Sequence, residues 1–178
     1  IFVLSIFRLA FSSSSNNDFF YPRINFLDSR KDEIFKQFEM DVQIAKKQIA
    51  NNEIPAFMLY QYKTTKDDNL FTISARCNIL QETIATFNHI SSPTEDISNR
   101  EILLPTVDGI FVTNSPITPF EEILKKNCFQ SDNSLCYNVS IKGEVFTFFI
   151  GMRVGSTERY FFLDSSLKMP LKEIVLTS

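Results

Sequence analysis

The chain has 178 residues, which allows one ordinary domain or two to three small ones. With 44% hydrophobic and 22% charged residues it has the make-up of a folded protein and not of a disordered one. A net charge of −3 gives no global attraction to nucleic acid or to an anionic membrane surface, and no apolar run reaches transmembrane length.

Ile1 to Phe11 are mostly apolar, with Arg8 among them, and a serine run at Ser12–Ser15 follows. This reads as the tail of a signal peptide or as a buried N-terminal strand; the expectation is export, with residues 1–17 a signal-peptide remnant or a disordered start. Residues 18–57 form an N-terminal helical segment. Across Ser29–Asn51, the residues Ile34, Phe38, Val42, Ala45 and Ile49 recur at spacings of three and four, which puts them on one helical face. Ser29 with Asp32 three residues on offers a cap and an acid at the positive helix end, Lys46 and Lys47 suit the other end, and Asn51-Asn52 with Pro55 stop it. The stripe is too short for a coiled coil and predicts a helix docked on its neighbour.

Residues 58–106 read as a βααβ unit. Met58–Thr64 alternates as a strand, and Asp67-Asp68-Asn69 is a turn in which Asp68 or Asn69 caps the next helix. Leu70, Ile73, Ser74 and Cys77 give that helix an inward face, and Asn78, tolerant of left-handed backbone, ends it. A second helix runs from Leu80 to Phe87 with Ile84 and Phe87 inward. Ser91–Asn99 is a polar loop carrying Pro93, and Glu101–Leu104 returns as a strand stopped by Pro105.

Residues 107–178 read as a β-rich region with one short helix. Gly109–Thr113 is a strand, and Thr118-Pro119-Phe120-Glu121 starts a helix that ends near Asn127. Tyr137–Ile150 is a hairpin turning at Lys142-Gly143, and Glu158–Leu163, rich in Phe, is a further strand. Cys128 and Cys136 flank a polar loop and form either a disulfide or two free thiols, while Cys77 reads as core. The fold class is therefore α+β.

The order from Tyr62 to Pro105 resembles the LysM module, which binds N-acetylglucosamine-containing glycans, chiefly peptidoglycan. Tyr62 falls at its opening aromatic, Asp68 at its turn acid, Leu70 and Ile73 at its first-helix core, Ile79 between the helices, Ile84 in the second-helix core and Asn88 at its asparagine. Ile102, Leu104 and Pro105 match its closing strand. Asp67 and Asn99 stand where the family has glycine; Asp and Asn tolerate positive φ better than other residues with a side chain. The resemblance implies a sugar groove between two loops, with Lys66, Asp67, Asp68, Asn69, Leu70 and Phe71 on one side and Asn88, His89, Ile90, Ser91 and Pro93 on the other. Asp68 and Asn88 also have structural readings, as a helix cap and a loop stabiliser.

No catalytic or metal-binding residue is expected in this chain. His89 is the single histidine, too few for a hydrolytic zinc site of the usual kind, and it reads as a surface-loop residue or a minor sugar contact. There is no glycine-rich phosphate loop; Glu121-Glu122 sit at a helix start; Asn138-Val139-Ser140 is a glycosylation sequon by pattern alone. The stretch from Phe146 through Tyr160-Phe161-Phe162 and Pro170 to Leu176-Thr177-Ser178 is similar to the lead-in of LytM/lysostaphin-type zinc endopeptidases that carry a LysM module. That resemblance implies a following peptidase domain as partner, with zinc held there and no cofactor here. The expectation is an exported protein of the periplasm or cell envelope that targets a cell-wall metalloendopeptidase to peptidoglycan strands. The alternative is a non-catalytic envelope protein-interaction module whose LysM fold has lost glycan binding.

Overall fold

The computed structural model describes residues 20–128 and 135–164. The expected signal-peptide remnant and the Pro170 and Leu176-Thr177-Ser178 lead-in lie outside the described residues. Among the described residues Cys77 and Cys136 are free thiols; the side chain of Cys128 lies outside them.

Asp32, and not Ser29, starts the first helix. Its Oδ1 accepts from the N–H groups of Ile34 and Phe35 at 2.8 and 3.1 Å, and its Oδ2 from Asn25 and Phe26 at 2.6 and 3.0 Å. One carboxylate thus caps α1 (Glu33–Ala50) and ties it to the chain leaving the short strand β1 (Arg23–Ile24). Burial works to raise the Asp32 pKa, but the four N–H donors hold it below the usual carboxylate range. The buried stripe of α1 is Phe35, Phe38, Val42 and Ala45, so the predicted face is displaced at its start: Phe35 turns inward and Ile34 outward. Phe35 stacks on Phe38, whose ring meets Tyr60 edge-on at 5.2 Å, a larger apolar contact than Ile34 would supply.

The predicted βααβ order is present. β2 (Leu59–Lys63) runs antiparallel to β3 (Glu101–Pro105) and parallel to β1, giving a sheet ordered β1-β2-β3. Between the strands lie α2 (Leu70–Cys77) and α3 (Gln81–Phe87). Asn69 caps α2 in a reciprocal box with Thr72, and Asn78 closes it at φ 53° and ψ 38°. β1 was not predicted: two residues carry no alternation to read.

A second sheet follows, ordered β4-β6-β5, from β4 (Gly109–Thr113), β5 (Cys136–Ile141) and β6 (Glu144–Ile150). Lys142 and Gly143 make its hairpin turn with φ of 52° and 84°, the hand that suits a two-residue connection. α4 (Pro119–Cys128) begins as predicted, with Thr118 Oγ1 accepting from the Glu121 N–H at 3.1 Å and Glu121 Oε2 accepting from the Thr118 N–H at 3.1 Å. The predicted strand at Glu158–Leu163 is instead helix α5 (Ser156–Leu163), which seats Phe162 against Phe120 of α4 with ring centroids 4.8 Å apart. The architecture is mixed α+β, with two helices in the C-terminal region where one was expected.

α3 joins the two sheets. Its Thr83 hydroxyl donates to the Gly109 carbonyl at 2.7 Å and accepts from the Gly109 N–H at 3.0 Å, and Thr86 Oγ1 accepts from the Phe111 N–H at 3.2 Å. These threonines occupy the edge of β4 that β6 does not pair, which would otherwise present unsatisfied backbone groups. Phe87 of α3 lies 4.5 Å from Phe111 and 5.4 Å from Phe146, beside the Phe111–Phe148 stack. A single cluster of buried side chains extends from Ile24 through the βααβ unit to Phe162.

Candidate functional site

Thr64, just past β2, brings the two implied sugar loops side by side. Its N–H donates to the Arg100 carbonyl at 3.0 Å, its hydroxyl oxygen accepts from the Arg100 N–H at 2.9 Å, and the hydroxyl also bonds the Ile97 carbonyl. The loop leaving β2 is therefore stitched to the loop entering β3.

The first loop is closed from inside by Asp68. Its Oδ2 accepts from the Tyr62 phenol at 2.7 Å and from the N–H and hydroxyl of Thr65 at 2.8 Å each, and Arg76 approaches Oδ1 at 3.8 Å. Asp68 is buried, and the cap of α2 falls to Asn69. Lys66, Asp67, Asn69 and Phe71 face solvent, Phe71 with 65% of its surface exposed, whereas Leu70 is fully buried. Asp67 does not take up positive φ, so this turn does not need the family's glycine; Asn99, at φ 57°, does occupy left-handed backbone.

The second loop is held by a set of internal bonds. Asn88 donates from Nδ2 to the Ile84 and Leu103 carbonyls at 2.8 Å each and accepts from the Leu103 N–H at 2.8 Å, so its amide is committed to joining α3 and β3. Glu95 accepts from the Ser91 N–H at 2.6 Å and the Ser91 hydroxyl at 2.7 Å, and pairs with Arg100 at 2.9 Å. Arg100 also donates to the Asn88 carbonyl at 2.5 Å. Ile90 is buried, and Ser91 and Pro93 are half-buried. Of the implied sugar contacts, then, Leu70 and Ile90 offer backbone only, while Lys66, Asp67, Asn69, Phe71, Ser91 and Pro93 keep side-chain surface.

His89 is not a free surface-loop residue. Its Nδ1 lies 2.6 Å from Glu121 Oε1 of α4 and its Nε2 lies 2.9 Å from Glu144 Oε2 of β6. The Glu121 bond pushes the His89 pKa up to about 9 against the opposing effect of partial burial, and Glu144 adds to it. Thr64, Glu95, Arg100 and Glu121 were not singled out from sequence as parts of these loops; only the Thr118–Glu121 box had a readable spacing.

One surface cleft, lined by Lys46, Asn78, Asp108 and Arg153, lies away from these loops, and a second, lined by Thr113, Lys142 and Glu144, adjoins the second loop through the Glu144 contact with His89. Among the described residues no helix is long and apolar enough to cross a membrane, and no group of three or more His, Cys, Asp or Glu is arranged to hold a metal ion. Neither the curated proteins nor the solved structures contain a significant match to the chain. Residues 62–98 match the LysM domain family, and they span both loops. Such domains are typically extracellular or associated with the cell envelope. A LysM domain is present at residues 62–98, and it implies glycan binding of the peptidoglycan or chitin kind in general terms.

Proposed function

We propose that the chain binds N-acetylglucosamine-containing strands of peptidoglycan through the exposed parts of its two stitched loops, at the periplasmic or envelope side of the membrane. The carrying observation is the LysM match over 62–98, both of whose loops keep polar and aromatic surface at Lys66, Asp67, Asn69, Phe71, Ser91 and Pro93. Amide and carboxylate groups there suit the acetamido group of an amino sugar, and the Phe71 ring suits an apolar sugar face. In this reading residues 58–106 are the glycan-binding unit. Residues 107–178 lead into a zinc peptidase domain, and the chain holds a cell-wall metalloendopeptidase on its polymer. One module binds weakly, but tethering raises the local substrate concentration of a linked enzyme. Support for the enzyme context is the similarity of residues 146–178 to the lead-in of such endopeptidases.

The test is retention of the purified chain on insoluble peptidoglycan. Saturable binding competed by N-acetylglucosamine oligomers is the expected result; a folded chain that stays in the supernatant overturns the reading. For the enzyme context, the reading frame beyond Ser178 is decisive, since a frame without a histidine- and aspartate-bearing β-rich domain removes it. A second reading, an envelope protein-interaction module without glycan affinity, is favoured by the internal commitment of Asp68, Asn88 and His89 and the burial of Leu70 and Ile90. It gains from the second outcome of the retention test.

A further inference from the structure

His89 sits in left-handed backbone at φ 54°, a costly conformation for a residue with a side chain, so the surroundings must hold it there. They do so at both ring nitrogens. Glu121 and Glu144 are acceptors, so each nitrogen facing them must donate, which requires the imidazolium. Both carboxylates are themselves fixed. Glu121 Oε2 accepts from the Ile117 and Thr118 N–H groups at 2.8 and 3.1 Å, and Glu144 Oε1 accepts from the Thr113 hydroxyl at 2.6 Å. The charged groups acting on the ring are Glu121 from α4 and Glu144 from β6, while on its own loop Glu95 and Arg100 pair with each other and Arg100 holds the Asn88 carbonyl. Phe146 of β6 packs beside it at 5.8 Å between ring centroids.

This clasp joins the loop after α3 to elements 32 and 55 residues further along the chain. The loop leaves His89 directly into Ile90, Ser91 and Pro93. We propose that His89 is a positioning residue: clasped between Glu121 and Glu144, it uses α4 and β6 to order the second sugar loop and thereby sets glycan affinity. The C-terminal region is then a brace for the LysM loops. The proposal rests on the glycan-binding reading above. It gives the clasp a pH signature, because a neutral imidazole can donate to one carboxylate at most.

The test uses the full chain, an N-acetylglucosamine oligomer as the titrated probe, and amide hydrogen exchange of residues 90–99. Two variants are compared with wild type. His89→Asn tolerates the left-handed backbone but is too short to reach both carboxylates, and Glu144→Gln removes one charge while leaving an acceptor for Thr113. Expected is a loss of wild-type affinity of roughly fivefold or more between about pH 7 and about pH 10, with loop protection falling in parallel. His89→Asn should be weak at neutral pH and flat across that range, with Glu144→Gln intermediate. Wild-type loop protection in both variants, or a wild-type pH profile in His89→Asn, overturns the proposal. Wild-type protein that is folded yet binds no oligomer at any pH overturns the glycan reading and the affinity part together; the exchange data still decide whether His89 orders the loop.

Discussion

Tyr62 and Asp68 close the first candidate loop from the inside: the phenol at the end of β2 donates to Asp68 Oδ2 at 2.7 Å, and both residues are buried. Burial first, and the Asp68 carboxylate second, push the Tyr62 pKa upward, so the phenol stays protonated and keeps donating at any moderate pH. Removing the donor with Tyr62→Phe leaves Asp68 its two Thr65 donors and should cost about 1–2 kcal/mol. Asp68→Ala strands the phenol and the Thr65 N–H together and should cost more, about 3 kcal/mol. Urea denaturation of the two variants gives the order directly; equal costs would mean that the carboxylate is not the centre of the loop.

Asn88 makes a comparable argument for the second loop. Its amide meets two carbonyls and one N–H, all within hydrogen-bonding distance at 2.8 Å, and its own carbonyl is taken by Arg100. Asn88→Ala leaves the Leu103 N–H and carbonyl without partners, while the Ile84 carbonyl keeps the backbone N–H of residue 88, and should destabilise by about 2–4 kcal/mol. Asn88→Asp should be nearly as costly, because a carboxylate repels the two carbonyls that the amide N–H groups satisfy. Denaturation midpoints for both variants, with far-ultraviolet circular dichroism as the check on folding, test this.

Local chemistry explains which parts of this molecule could be read from sequence. The cap of α4, the αL stop at Asn78 and the Lys142-Gly143 turn each depend on residues a few positions apart, and each is found where the residue types place it. The Phe-rich run in α5 has strand-like composition, but Glu158 in its first turn and the packing of Phe162 on Phe120 favour a helix. In α1 the predicted periodicity holds and only its start is displaced, because Asp32 fixes where the helix begins. Partners such as Glu121 and Glu144 for His89, or Gly109 for Thr83, are brought together by the tertiary fold alone, so no spacing announces them. The loops could therefore be located in sequence, but which of their side chains face solvent could not.

The His89 clasp predicts a stability change with pH whose sign is fixed. The ring titrates near its ordinary 6.5 in the unfolded chain and at about 9 in the folded one. Its stabilisation is therefore complete below 6.5, declines as pH rises, and is gone above about 9. With the ring 21% exposed, solvent screening limits the effect to on the order of 2 kcal/mol. Thermal denaturation from neutral to alkaline pH should show this decline in wild type and a much flatter profile in His89→Asn.

Gly109 and Gly143 separate steric from conformational need. A Cβ on Gly109 would clash with the Phe149 carbonyl oxygen and the Phe148 ring, both held within the β6 pairing. Gly109→Ala should therefore destabilise by at least about 2 kcal/mol and loosen the junction with Thr83. Gly143 has open space around it and differs only in its φ of 84°, so Gly143→Ala should cost about 1 kcal/mol. Chemical denaturation of the pair measures the gap; a milder effect at Gly109 would require β6 to shift.

Phe71 tests whether the exposed part of the first loop meets sugar. It is 65% exposed while its neighbour Leu70 is fully buried, so two adjacent apolar side chains serve different ends. Leu70→Ala should cost about 2–5 kcal/mol and reduce retention on peptidoglycan only in proportion to the unfolded fraction. Phe71→Ala should change stability by no more than about 0.5 kcal/mol, because the ring has little contact to lose. If the ring covers an apolar sugar face, the same change should lower retention by roughly 3- to 10-fold at unchanged fold. Retention equal to wild type in Phe71→Ala would move the contact away from this loop, and with Asp68 and Leu70 already committed inward it would count towards the protein-interaction reading.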